Sequence, residues 1–108
     1  MDSSLIHPPF SKDQILHLTR THVGLFIDGE EKRRGMIIGV NLAPADIEYS
    51  VIIEIDFSEY ESCVLGYSDE QKNWVIIDKY VFDDLWRKTM TTGVVEVKRT
   101  IPATYDGQ

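Results

Sequence analysis

The sequence predicts an α+β fold, an antiparallel meander sheet of about five or six strands with an N-terminal helix and a late helix packed on one face. Three observations lead to it. A clearly capped helix opens the chain, strand-length apolar segments follow one another across short polar turns, and a second amphipathic stripe lies near the C-terminal end. The expected element order is helix, five strands, helix, strand. Four consecutive short connections favour antiparallel neighbours. With 108 residues the chain suits one domain, long enough to build a core without metals or disulfides.

Residues 1–10 read as an extended arm, because Pro8 and Pro9 forbid helix and favour polyproline geometry. The first helix is predicted over residues 12–22. Ser11 is its N-cap, and Gln14 three residues on completes a capping box. Phe10 and Ile15 hold the two positions of a hydrophobic staple across that cap. Ile15, Leu18 and His22, with Leu16 beside them, form one helix face. Residues 23–27 are apolar and β-rich, Asp28-Gly29 begins a turn with 30–34 as its polar tip, and 36–40 return as a strand. Residues 41–46, with Pro44, form a loop.

The clearest alternation follows. Ile47, Tyr49, Val51, Ile53, Ile55 and Phe57 share one parity, while Glu48, Ser50, Ile52, Glu54, Asp56 and Ser58 share the other. This is the pattern of a half-buried strand with one wet face. A turn at 58–61, a strand at 62–67, a turn at 68–73 and a strand at 74–77 come next. A second helix is expected from Lys79 or Tyr80 to Met90, with Asp78 as its cap, Asp83 and Asp84 early, Arg87 and Lys88 late, and Gly93 as its stop. Residues 94–101 read as the last strand and 102–108 as a tail. The domain proper is thus 11–101.

Charge is unevenly spread. The net charge is −7, yet residues 35–71 hold eight acids and no Lys or Arg, while the rest of the chain has ten acids and eleven bases. Cys63 is the one cysteine, which excludes an internal disulfide and points to a reducing compartment, the cytoplasm. The first residues lack the basic start and long apolar stretch of a secretory signal, and the longest apolar runs are too short to cross a membrane.

Motifs for chemistry are sparse. Gly24, Gly29, Gly35 and Gly39 match no nucleotide-binding fingerprint and fit hairpin geometry better. His17 and His22 are five apart, a poor spacing for metal ligation from one helix, and Asp13 with His17 fits an ordinary surface hydrogen bond. Cys63 sits in a predicted strand with no nucleophile motif around it and reads as a small buried hydrophobe. The carboxylates could form a glycosidase-like acid and base only in a deep cleft, which a small meander rarely offers. Lys32-Arg33-Arg34 follows Glu30-Glu31, which largely cancels its field, so direct nucleic-acid binding is not expected. The sequence therefore predicts no catalytic residue, no metal and no cofactor, and a chain that is not an enzyme.

What remains is the acidic segment. Its expected partner-binding residues are Glu48, Glu54, Asp56, Glu59, Tyr60, Glu61, Asp69 and Glu70, with Tyr60 as an aromatic anchor among acids. Clustered carboxylates steer a basic protein partner and speed its capture. Small acidic proteins that block a basic nuclease or another nucleic-acid-binding protein, such as immunity-type proteins and phage inhibitors, meet these requirements as a class. The alternative is a small ligand-binding or accessory α+β domain, homodimeric through a sheet face or edge, whose acidity serves solubility.

Overall fold

The computed structural model describes residues 5–42, 49–58, 61–80 and 93–100. Their elements are β1 (Leu5–Ile6), α1 (Lys12–Leu18), β2 (His22–Ile27), β3 (Glu30–Leu42), β4 (Val51–Ser58), β5 (Glu61–Ser68), β6 (Asn73–Tyr80) and β7 (Val95–Arg99). The α+β expectation is overturned: the described residues are 65% strand and 9% helical, and their strands form a closed six-stranded antiparallel barrel. Strands β2 to β6 pair in sequence order, and β7 pairs with β2 on one edge and with β6 on the other. An open sheet needs helices to cover its apolar face, whereas a sheet closed on itself covers that face with its own opposite wall.

The core shows how. Val23, Leu25, Ile37, Ile53, Ile55, Cys63, Leu65, Trp74 and Val97 are buried, and they come from every strand of the barrel. The alternation along β4 is seen directly: Val51, Ile53 and Ile55 are buried while Glu54 is exposed between them. Leu18 of α1 and Ile6 of β1 complete the same core.

Hairpin geometry departs from the expected polar tip. Asp28 and Gly29 both have positive φ, 54° and 83°, and Ile27 pairs directly with Glu30. This is a two-residue turn whose twist matches the flanking strands. Glu30 and the basic residues after it therefore belong to β3 and not to a loop. β3 is long because it serves two neighbours: Glu30 to Met36 pair with β2, and Met36 to Leu42 pair with β4. Gly35 stands at the handover, where a Cβ would collide with the Asp56 carbonyl oxygen. Such close backbone approach at a barrel bend is a specific use of glycine.

The first helix begins as its sequence requires and ends sooner than expected. Gln14 N donates to Ser11 Oγ at 3.1 Å, and Ser11 N donates to Gln14 Oε1 at 2.7 Å, completing the capping box. α1 stops at Leu18, and His22 begins β2. The chain leaving α1 is captured by β3: Arg20 N donates to Ile37 O at 2.7 Å and Ile37 N to Thr21 O at 3.0 Å. The second helix is also corrected where it can be seen. Lys79 and Tyr80 extend β6, and Asp78 Oδ1 accepts from Lys79 N within that strand. The remainder of the predicted helix, 81–90, lies outside the described residues.

Closure is uneven. β7 makes five register pairs with β2 but a single one with β6, Trp74 opposite Val95. β1 takes part of the rest of that edge, with Leu5 opposite Lys98 and Ile6 opposite Val97. The Trp74 indole Nε1 donates to Ile6 O at 2.8 Å, joining β6 to β1 across the seam. Asp28 fastens the other end of β7: its N donates to Val94 O at 2.9 Å, and its Oδ1 accepts from Val94 N at 2.8 Å.

Candidate functional site: a carboxylate-bearing outer face

The predicted partner-binding residues do not form one continuous patch. Glu54 and Asp56 lie in β4, Glu61 opens β5, and Asp69 and Glu70 occupy the β5–β6 turn. That turn and Glu61 stand at opposite ends of an eight-residue strand, about 25 Å apart at the usual strand rise. Glu48, Glu59 and Tyr60 lie outside the described residues.

The described acids also differ in surroundings. Glu61 is half-buried and accepts from Arg33 Nε at 3.3 Å, so it belongs to the fastening of β3 to β5. Asp69 Oδ1 accepts from Ser50 Oγ at 3.2 Å, which ties the approach to β4 onto the β5–β6 turn. Glu70 is exposed, and Asp56 is half-buried. Glu54 is exposed in mid-strand.

Around Glu54 the barrel assembles a face that the sequence did not reveal. Glu54 is paired with Val64, and Val64 with Asp78, so one row crosses β4, β5 and β6. At ordinary strand spacing the two carboxylate-bearing positions are about 10 Å apart across the valine. A bulge in β6 sets this row. Leu65 pairs with Ile76 while Val64 pairs with Asp78, leaving Ile77 as the extra residue. Ile77 is 44% exposed, and on the far side of β4 Ile38 of β3 is 42% exposed. Tyr49 and Ile77 close over Gly66, where any Cβ would strike both side chains. The outer wall is therefore apolar at its centre, with carboxylates on either side. Neither β4 nor β5 contains a Lys or Arg, and β6 contributes Lys79.

Sequence reasoning missed Asp78 because the Asp-Lys-Tyr run resembles a helix start. The signal that could have placed it is the β-branched stretch Val75-Ile76-Ile77 directly before it, which favours strand continuation.

The opposite wall carries most of its bases already engaged. Lys32 Nζ meets Glu30 at 2.9 Å, and Arg34 Nε meets both Glu31 oxygens at 2.9 Å. Lys98 Nζ sits 4.8 Å above the Phe26 ring. The expected cancellation of the basic cluster by Glu30 and Glu31 is thus observed as ion pairs.

Cys63 lies beneath the acidic face. It is fully buried, and burial pushes its thiol up to about 12, with the nearby Glu54 charge adding to the rise. A thiol held this far above neutrality is no nucleophile at physiological pH. Among the described residues, no three His, Cys, Asp or Glu side chains are grouped to hold a metal ion. No helix there is long and apolar enough to cross a membrane.

Fold and face together define a small closed antiparallel β-barrel with a carboxylate-flanked apolar wall. Compared with protein-family models, curated proteins and solved structures, the chain has no significant match in any of the three.

Proposed function

We propose that the chain is a protein-binding module that docks a basic partner through the outer face of β4, β5 and β6. In this reading it acts by binding and blocking, not by catalysis. The supporting observation is the row Glu54–Val64–Asp78, with exposed Ile77 beside it. An exposed apolar centre supplies contact area, and flanking carboxylates steer a cationic surface and fix its register. Lys32 and Arg34 of β3 favour the same side of the barrel, because Glu30 and Glu31 of their own strand engage them.

Pairing with a second copy of the chain through this face is disfavoured. A two-fold interface sets the same patch against itself, bringing one carboxylate-bearing face against another.

The test is capture from the native cell with two baits, the wild-type chain and a Glu54→Lys/Asp78→Lys variant. The expected result is a basic protein retained by the wild type at low salt, released at high salt and lost from the variant. A partner held equally by both baits, or indifferent to salt, would place the binding surface elsewhere and overturn the reading.

A further inference from the structure

We infer that the groove between the N-terminal arm and the β5–β6 turn is a binding site for a free α-amino acid with an apolar side chain. The groove measures about 500 Å³. Phe10 and Ile15 line it from the arm and α1, and Leu42, Val51 and Tyr67 line it from the barrel. Leu42 is an exposed large hydrophobic residue, so this apolar wall is open to solvent.

Two opposite charges border the same groove. Asp69 and Lys72 stand three residues apart in the β5–β6 turn, and both are exposed. The turn fixes each of them. Asp69 Oδ1 accepts from Ser50 Oγ at 3.2 Å, a bond that uses one oxygen of the carboxylate. Lys72 N donates to Ser68 O at 2.7 Å, and Lys72 is held at a φ of 57°. Gly or Asn takes that left-handed conformation more readily than Lys. The turn thus keeps a long cationic side chain at a position where a smaller residue is easier to place. No ion pair joins Asp69 to Lys72. A ligand with a single charge meets one of the two and leaves the other unanswered. A free amino acid meets both, its ammonium at Asp69 and its carboxylate at Lys72. Its side chain leaves the same carbon and enters the apolar groove. A peptide offers only one of these charges at either end, and none within.

This site is separate from the β4–β6 face, and its test involves no protein partner. The probes are phenylalanine, phenylalaninamide and N-acetylphenylalanine, which share a side chain and differ in charge. Each is titrated into the isotope-labelled chain at fixed salt, and the Val51 and Leu42 methyl resonances are followed. Phenylalanine is expected to give saturating shifts and to bind about tenfold more tightly than either derivative. Attraction by the net charge of −7 alone ranks the cationic amide first, so the expected order is not a bulk electrostatic effect. Lys72→Gly, which suits the positive φ, is expected to make phenylalanine bind no better than its amide. Asp69→Asn is expected to erase the preference over the N-acetyl form. Absence of saturable shifts with phenylalanine, or a derivative that binds as tightly, overturns the proposal. Because the three probes are compared on the wild-type chain, the result stands even if a variant does not fold.

Discussion

Cys63 is the residue whose environment makes the sharpest solution prediction. Its folded-state value of about 12 lies above the free-thiol value of 9.0. Below the free-thiol value both states keep the proton, and the stabilising contribution is fully present. Above it the unfolded chain releases the proton while the folded chain keeps it, so stability falls as pH rises. The slope approaches about 1.4 kcal/mol per pH unit. Urea titrations of the wild type and of Cys63→Ala from about pH 8 to about pH 11 are expected to show the wild-type advantage shrinking with pH. A constant difference would mean that the thiol is wetter than its burial implies. Gly35 makes a second prediction at this scale. Ala at this position forces a methyl against the Asp56 carbonyl, so Gly35→Ala is expected to destabilise by about 2 kcal/mol in urea unfolding. A β-propensity argument alone gives the opposite sign, because Ala is the better strand former than Gly. The burial of Cys63 was legible in its apolar strand. The need for glycine at position 35 was not, because the colliding oxygen lies 21 residues later in the chain.

At the scale of elements, local chemistry was a good guide where the deciding residues are close neighbours in the chain. The capping box at Ser11, the Asp28-Gly29 turn and the β4 alternation each depend on residues a few positions apart, and each is seen in the structure. Element ends were harder. β6 runs on through Lys79 and Tyr80 because its ladder with β5 continues to Tyr80, a partner invisible to helix-start statistics. The seam carries the element-scale prediction. Trp74→Phe preserves most of the aromatic volume but removes the donor to Ile6 O. It is expected to reduce stability by about 1–2 kcal/mol and to speed hydrogen exchange at the Val97 amide more than at amides of the β4–β5 ladder. Equal acceleration at both places would show that β1 does not depend on that hydrogen bond for its hold on β7.

For the whole molecule, the decisive feature is the separation of charge between walls. β3 neutralises Lys32 and Arg34 with its own Glu30 and Glu31 in short ion pairs, while Glu54 and Asp78 stand on a face whose strands β4 and β5 hold no base. The Glu54→Lys/Asp78→Lys variant is therefore expected to keep its fold, with unfolding free energy about 1 kcal/mol below the wild type, because the Asp78 substitution removes the hydrogen bond from Lys79 N. Its association with a basic partner is expected to slow, and the difference from the wild type to shrink as salt is added, because exposed charges act over little more than a Debye length. Stopped-flow association across a salt series reads both quantities.

By itself, the sequence determined what depends on neighbours within a turn or two: the helix cap, the tight turn, the inward parity of β4 and the acidity of the middle third. Only the tertiary structure decided that the sheet closes, that β6 supplies Asp78 to the row of Glu54, and that Glu61 is drawn away to Arg33. The physical reason is the coiling of a twisted sheet. Once β3 bends and changes partners, strands far apart in the chain meet at registers set by bulges, and Trp74 reaches Ile6 across 68 residues. Side-chain periodicity records which way a residue faces, but it does not record which strand lies beside it.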